Sequence, residues 1–509
     1  MFFKMNEEIT YARNPLVDEN VFLKMEPENT PLPKFEDNRH KLPQPTWDGH
    51  DDYLKCYWRT WELAFGNLGT PQEGSGFVSN FIDTAFNGCI FMWDSSFMLM
   101  FGKYADRIFK FQHTLDNFYS HQHRDGFISR EIDEASGGEH FTRMDPSSTG
   151  PDIMPWCEWE YFLNFGNKER LERVFPPLMA YHRWMAANHT WPDGTYYSTG
   201  WGCGMDNLPR MEPGVDICFQ HGHMIWVDAC MQELNNCNIL IKMAKILGRE
   251  EFIAELESER DMLEKVINEK LWDEETGFYY DLWRTGKHNM VMHVGAYWAL
   301  LAKCAPADRA EKLIAHLNNE DEFKTDVMVP ALIKSHGWYD PHGGYWCGGV
   351  WAPTNYMVLK GLDTYGKYDL SHAIGKNYLS AVVSVFNETN TVFENYSSGY
   401  KDGKPIKGDP AKGDFVGWTG IPPITVLFEY VFGIKPDAAN NKITWHVNLT
   451  ERHGVEQYPF GVEGELTLMC EKRNSCDEEP KITFESNVPV TLEVIWGEGE
   501  NKKSVIYTK

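Results

Sequence analysis

Two carboxylates, Asp206 and Glu394, lie in segments whose glycine and aromatic residues are typical of a ligand-binding cleft. Asp206 occurs in Trp201-Gly-Cys-Gly-Met-Asp206-Asn-Leu-Pro-Arg210, and Glu394 occurs in Thr391-Val-Phe-Glu394-Asn-Tyr396. Hydrolysis of a glycosidic bond needs two such groups, one to protonate the leaving oxygen and one to accept a proton from water. The local sequence also fits plainer roles, an Asx turn for Asp206 and a solvated carboxylate at a strand end for Glu394.

Aromatic residues beside further polar side chains would supply surfaces that stack on a sugar ring, because Trp and Tyr combine an apolar face with a polar tip. Asp94, which follows Trp93, would hydrogen-bond to hydroxyl groups or cap the next helix. Arg130 would donate to hydroxyl groups or form a structural salt bridge. The other candidates for substrate contacts, for which the plainer role is packing, are Trp93, Trp201, Asn207, Tyr345, Trp346, Trp351, Tyr396 and Trp418.

The composition argues against several classes of protein. A net charge of −26 disfavours nucleic acid and anionic lipid as partners, and the longest apolar runs are far shorter than a bilayer-spanning helix. The sequence contains no HExxH motif or close Cys/His set, so we expect no metal ion and no cofactor. The eleven cysteines form no CxxC pair, and polar residues interrupt the N-terminal MFFKMNEEITYARNP, so we expect a cytoplasmic protein with reduced thiols.

Helical apolar spacing predicts about twelve helices between Asp51 and 432, including one over 104–121, and these must position the candidate residues. Tight glycine-containing turns alternate with long loops rich in Gly, Trp and Asp, at 69–93, 122–151, 189–222, 272–290, 319–349 and 387–417. This alternation favours six antiparallel helical hairpins closed into a ring, which is an all-α (α/α)6 barrel. The long loops would then build the active face at one end.

The chain texture changes on either side of this helical region. Residues 1–50 are rich in Pro, Asn and charged groups, which predicts an N-terminal arm with little regular structure. Residues 51–436 would form the catalytic barrel. Residues 437–509 alternate with period two and predict a small, antiparallel, β-sandwich-like domain.

Five motifs, in this order, resemble the clan of trehalases and glycoside hydrolase family 63, which includes α-glucosidases and mannosylglycerate hydrolases. They are Trp93-Asp94, Gly204-Met-Asp206-Asn207, Tyr345-Trp346…Val350-Trp351…Asn355-Tyr356, Phe393-Glu394-Asn-Tyr396 and Gly417-Trp-Thr-Gly420. The resemblance extends from about 52 to 434. The chain departs from the family pattern at Cys347 and Gly349, where family members often carry Arg and Pro.

The resemblance implies an (α/α)6 barrel and an inverting mechanism in which Asp206 is the general acid and Glu394 the general base. It predicts an exo-acting enzyme that releases a terminal α-linked hexose, with glucose as the expected sugar, from a small oligosaccharide or glycoside. A small carbohydrate is the only partner expected. The alternatives are a sugar phosphorylase or an epimerase on the same toroid, or a non-catalytic carbohydrate-binding protein. A phosphorylase would need a phosphate cradle in place of the base, and an epimerase would need paired histidines such as His221 and His223.

Overall fold

Most of the helices lie in the middle part of the sequence, as the apolar spacing predicts. The computed structural model describes residues 13–84, 87–212, 214–497 and 499–509. No helix in these ranges has the length and apolar character needed to cross a membrane. In chain order the helices are α1 Phe35–Asn38, α2 Asp51–Gly66, α3 Met92–Gly102, α4 Thr114–Tyr119, α5 Met154–Phe165, α6 Lys168–Asn188, α7 Val227–Leu247, α8 Ile253–Val266, α9 Trp298–Leu301, α10 Ala307–Ala315, α11 Ala352–Thr364, α12 Tyr368–Thr389 and the π-helix α13 Ile421–Val431.

Short glycine turns separate successive helices where the sequence predicts them. Gly166 ends α5 with a left-handed backbone, and the side chain of Asn167 then accepts a hydrogen bond from the Arg170 N–H to cap α6. Gly248 ends α7 in the same left-handed conformation. Glycine is favoured at such positions because it has no Cβ to clash with the preceding carbonyl oxygen. The predicted helix boundaries at these turns are therefore confirmed.

Six helices contact one another in a closed cyclic order, α3–α5–α7–α9–α11–α13 and back to α3. Every residue of α3 and of α13 is buried, as expected for helices surrounded by others. Helices α6, α8 and α12 contact this inner set from the flanks. Of the inner helices, α3, α11 and α13 begin directly after long loops, so their N-terminal ends lie next to the loop residues that carry the candidate chemistry.

The expectation of one continuous helix over 104–121 is wrong. This segment contains two 3₁₀ turns, at Lys103–Ala105 and Phe111–His113, followed by the short helix α4. Phe109 and Phe111 are both buried in the core. Lys110, between them, is exposed and has φ −81° and ψ 71°, which is outside the helical region, so the helix is interrupted at this residue.

Short antiparallel strand pairs tie the long loops together. They are β2 Leu68–Gly69 with β3 Phe81–Ile82, β4 Cys89–Phe91 with β5 Glu131–Asp133, β7 Trp272–Asp273 with β8 Phe278–Tyr279, and β9 Asp281–Trp283 with both β6 Met224–Ile225 and β10 His288–Asn289. Just beyond the β4–β5 pair, the Met92 N–H donates to the Arg130 carbonyl oxygen at 2.8 Å. This bond places Arg130 beside the start of α3.

The C-terminal region forms two four-stranded sheets. One has the order β1 Gln44–Trp47, β13 His453–Phe460, β14 Gly464–Cys470 and β15 Ile482–Ser486; the other has the order β11 Ile434–Asp437, β12 Lys442–His446, β16 Thr491–Trp496 and β17 Lys503–Thr508. The pairs are antiparallel except β12 with β16, which is parallel, so the expectation of a purely antiparallel region is wrong for that pair. A parallel pair needs a long connection, and strands β13 to β15 supply it.

The segment predicted as an N-terminal arm contributes to one of these sheets. Among its described residues are 3₁₀ turns at Pro15–Glu19 and Val21–Lys24, helix α1 and strand β1. Strand β1 pairs with β13, with Gln44 opposite Glu456 and Trp47 opposite His453. The division of the chain at 50 and 436 stays a prediction.

Candidate active site

A pocket lies where the long loops meet the N-terminal ends of inner helices. Its cavity volume is about 330 Å³, near the lower end of the range of roughly 300–1,000 Å³ that is usual for small-molecule sites. Among the described residues, five of the six predicted long loops contribute to the lining and the loop at 272–290 does not. The lining residues are Asn87, Phe91, Trp93, Asp94, Arg130, Glu131, His140, Phe141, Gly150, Pro151, Trp201, Gly204, Asp206, Tyr345, Trp346, Glu394, Lys412, Phe415 and Trp418.

Asp206 reaches the pocket on a loop that packs closely against Trp93. Gly204 has a φ of +73°, and a Cβ at this position would lie only 3.1 Å from the Trp93 ring, so glycine allows both the left-handed backbone and the close approach. Burial raises the pKa of Asp206 to about 6; the negative charge of Glu394 adds to the shift and the positive charge of Arg130 opposes it. Asp206 is therefore about half protonated near pH 6, where an ordinary aspartate is almost fully ionised.

Glu394 is held in a fixed orientation by hydrogen bonds to its carboxylate and its backbone. Its Oε1 accepts a hydrogen bond from the Tyr345 hydroxyl at 3.0 Å, and its Oε2 accepts one from the Lys412 backbone N–H at 3.3 Å. The Trp418 indole N–H donates to the Glu394 carbonyl oxygen at 2.8 Å. The side chain is buried, and both oxygens serve as acceptors, which is the arrangement an ionised carboxylate uses.

Asp94 and Arg130 add a third carboxyl group and a cation to the same pocket. Burial raises the pKa of Asp94 well above its usual value; Arg130 opposes this shift, while Glu394 and Asp206 add to it. The Arg130 guanidinium donates to the Trp201 carbonyl oxygen at 2.6 Å and lies 5.3 Å from the centre of the Phe141 ring. Arg130 therefore fixes the start of the Asp206 loop and also moderates the repulsion among the carboxyl groups.

Aromatic rings form much of the pocket wall. Trp346 stacks on Trp351 with ring centres 3.9 Å apart and an interplanar angle of 5°, and Tyr345 meets Trp351 edge-on at 4.8 Å. Trp351 is fully buried, so it supports the wall from behind. Trp346, Trp93 and Trp418 line the cavity.

Three residues predicted to contact substrate lie outside the described lining. Asn207 instead positions the wall, because its Nδ2 donates to the Gly344 carbonyl oxygen at 3.0 Å and its Oδ1 accepts from the Trp346 N–H at 2.8 Å. Trp351 packs behind Trp346. The buried Tyr396 hydroxyl accepts a hydrogen bond from the Phe393 N–H at 3.1 Å and so braces the turn that carries Glu394.

The pocket also contains residues that the sequence analysis did not select. Glu131 follows Arg130 directly, and its Oε1 lies 2.8 Å from Nδ1 of His140. Cys89, Glu131 and His140 bring possible metal-ligand atoms within 4.8 Å of one another in this wall. Cys89, Glu131 and His140 are not spaced in the sequence like metal ligands. The position of Glu131 next to Arg130 is the one sequence signal that could have indicated its place in the pocket. The other unselected lining residues are Asn87, Phe91, Phe141, Gly150, Pro151, Gly204, Lys412 and Phe415.

Comparison with known proteins places this pocket within a family of enzymes. Residues 90–419, which include both candidate catalytic carboxylates, match the model of the mannosylglycerate hydrolase MGH1-like glycoside hydrolase domain. The periplasmic trehalase of Xanthomonas campestris is 26% identical over 167 residues, which cover 33% of this chain and 28% of the trehalase. The match thus spans less than a third of that relative.

Solved structures show the same fold. The family 63 mannosylglycerate hydrolase from Thermus thermophilus, solved in complex with glucose, has a TM-score of 0.59 at 19% identity and covers 73% of this chain and 99% of its own. The neutral trehalase Nth1 from Saccharomyces cerevisiae has a TM-score of 0.53 at 14% identity, with coverages of 69% and 74%. The predicted resemblance is therefore confirmed, and the chain belongs to the mannosylglycerate hydrolase MGH1-like glycoside hydrolases of family 63.

Proposed function

We propose that this glycoside hydrolase is exo-acting and inverting, with Asp206 as general acid and Glu394 as general base. The observation that carries the proposal is that both carboxyl groups line one small pocket in different environments. Burial raises the pKa of Asp206 to about 6, whereas Glu394 accepts hydrogen bonds at both carboxylate oxygens. One group is thus prepared to donate a proton and the other to accept one.

The reaction would use these two groups in a single displacement. Asp206 gives its proton to the glycosidic oxygen as the bond to the anomeric carbon breaks. Glu394 takes a proton from a water molecule as that water attacks the anomeric carbon from the opposite face. Because only one displacement occurs, the released sugar has the inverted configuration. The Tyr345 hydroxyl and the Lys412 N–H keep the base oriented toward the water.

We propose a terminal α-linked hexose, with glucose as the first candidate, as the substrate group. A cavity of about 330 Å³ suits a small sugar unit rather than the middle of a polymer. Trp93, Trp346 and Trp418 supply flat apolar surfaces for the ring, and Asp94 and Arg130 supply hydrogen-bonding groups. The family model and the relatives named above make mannosylglycerate and trehalose the first natural compounds to test.

The proposal extends to the architecture and the cellular location. We propose that the cyclic order α3–α5–α7–α9–α11–α13 is the inner ring of an (α/α)6 barrel, with the remaining long helices as its outer layer. The short turn at Gly166 joins α5 to α6, and the one at Gly248 leads from α7 to α8. Both turns would lie at the end of the barrel opposite the long loops. We also propose a cytoplasmic location, supported by eleven free cysteines, nine of them buried.

Proton NMR of a reacting mixture tests the mechanism and the substrate class together. Mannosylglycerate, trehalose and aryl α-glucosides are each incubated with the enzyme, and the anomeric signals of the first product are followed before mutarotation. We expect a β-configured monosaccharide to appear first from mannosylglycerate and from the aryl α-glucosides. Trehalose should give equal amounts of β- and α-glucose, because its leaving glucose keeps the α configuration. An α-configured first sugar from mannosylglycerate or an aryl α-glucoside, or α-glucose alone from trehalose, would contradict the roles given to Asp206 and Glu394. Early internal fragments from a long α-glucan would contradict exo action.

A further inference from the structure

A second cluster of reactive side chains lies outside the pocket, where three consecutive helices meet. His182 is on α6, Cys237 is on α7 and Glu259 is on α8. Nε2 of His182 is 3.1 Å from Oε2 of Glu259 and 3.7 Å from Sγ of Cys237. The three atoms all lie within 4.8 Å of one another. Imidazole nitrogen, thiolate sulfur and carboxylate oxygen are the ligand types that zinc prefers.

The separations match those of ligands around one zinc ion. Zinc bonds of about 2.0–2.3 Å at tetrahedral angles put neighbouring ligand atoms roughly 3.3–3.6 Å apart. The two measured distances, 3.1 and 3.7 Å, differ from these values by a few tenths of an ångström. The third separation, between Cys237 and Glu259, is within 4.8 Å, so a metal ion would have to draw these two side chains together by about 1 Å at most.

Neighbouring groups already hold the ligands in the orientation that a metal requires. Oε2 of Glu233 lies 3.0 Å from Nδ1 of His182, which leaves Nε2 directed at Cys237 and Glu259. The Tyr196 hydroxyl donates to Oε1 of Glu259 at 2.5 Å, which leaves Oε2 for the metal. A carboxylate behind a ligating histidine, and a hydrogen bond on a ligating carboxylate, are the usual outer supports of zinc sites.

The charges around the cluster also favour a cation. The side chains of His182 and Glu233 are each 2% exposed. Asp152 is buried nearby and interacts electrostatically with Glu233 and His182. Three carboxyl groups and a thiol thus surround one imidazole. Burying acidic groups costs free energy unless positive charge offsets theirs, and a divalent cation would supply that positive charge.

We propose that His182, Cys237 and Glu259 bind one zinc ion that joins α6, α7 and α8. The side chain of Glu259 is 19% exposed, so this edge of the cluster provides an entry path, and a water molecule would be the fourth ligand. The role is structural, because the ion would stabilise three helices that lie behind the pocket wall. Gly150 and Pro151, the two residues before Asp152, form part of that wall. The ligands are far apart in the sequence, which is why no metal-ligand spacing is visible there.

Metal content and stability provide the test. The full chain is loaded with ZnCl₂, desalted and analysed by elemental mass spectrometry, and its melting temperature is compared with that of the chelator-treated protein. We expect about one zinc per chain in the wild type and a melting temperature that chelation lowers. Cys237→Ser should lose the zinc. Cys230→Ser, a buried thiol on the same helix, is the matched control and should retain it.

Cobalt loading provides a spectroscopic measurement that shows thiolate ligation in the wild-type protein itself. A Co²⁺ ion bound by Cys237 would give a thiolate-to-cobalt charge-transfer band that is absent from Cys237→Ser and present in Cys230→Ser. Zinc below about a tenth of an equivalent in the wild type, or zinc retained by Cys237→Ser, would overturn the proposal. The cluster would then be an imidazolium paired with Glu233 and Glu259.

Discussion

Replacement of Asp206 by asparagine tests the assignment of the general acid most directly. The substitution preserves the size of the side chain but removes the proton that the leaving oxygen needs. General acid catalysis contributes about 10²- to 10⁴-fold, so we expect kcat on the best natural-type glycoside to fall by that factor. The fluoride ion of a glycosyl fluoride leaves without protonation, so the kcat of Asp206→Asn on that substrate should fall by about tenfold or less.

The pH profile of the same variant gives an independent measurement. Asp206 is active as an acid only when protonated, and burial raises its pKa to about 6. Wild-type activity on the natural-type glycoside should therefore decline as the pH rises through about 6. Below that pH Asp206 keeps its proton and can act as the acid. This alkaline decline should be absent from the residual activity of Asp206→Asn on the same glycoside.

Two companion variants separate the acid from the base and from the loop. Glu394→Gln should lose activity on both substrates, because the attacking water needs a base whatever the leaving group. Asp216→Asn alters an exposed carboxylate of the same loop and should behave as the wild type. Near wild-type turnover of the glycoside by Asp206→Asn, or an unchanged alkaline decline, would refute the assignment.

Three further predictions concern the pocket wall, the core and the thiols. Gly204→Ala places a Cβ at a left-handed position against a wall tryptophan, so kcat/KM should fall by about ten- to a hundredfold. Gly248→Ala, at a left-handed position with open space around it, should retain activity. Arg210→Met leaves Asp228 and Asp281 buried without their shared cation, so chemical denaturation should show a free energy of unfolding lower by about 3–5 kcal/mol; an unchanged value would contradict that reasoning. Thiol titration of freshly prepared, metal-free, denatured protein without reductant should find eleven free groups, and a smaller number would contradict the reduced state.

Local sequence was sufficient to predict most of the helices and the segments that carry the chemistry, although it failed for 104–121. Helix boundaries at Gly166 and Gly248 followed from neighbouring residues, because a left-handed turn is a short-range property of the backbone. The ordered motifs around Asp206 and Glu394 also indicated the family, and the family model confirms it. The roles of the two carboxylates stay predictions, although the structure places both in one pocket.

Only the tertiary structure decided which side of each loop faces the pocket. Trp346 and Trp351 are both buried tryptophans of one segment, yet the first lines the cavity and the second packs behind it. Asn207 was equally ambiguous, and its hydrogen bonds to a segment more than a hundred residues away determine its role. Such outcomes depend on contacts between distant parts of the chain, and so does the meeting of His182 and Cys237. Residue type and spacing therefore determine which groups are available for chemistry, and the packing of the helices determines which of them meet.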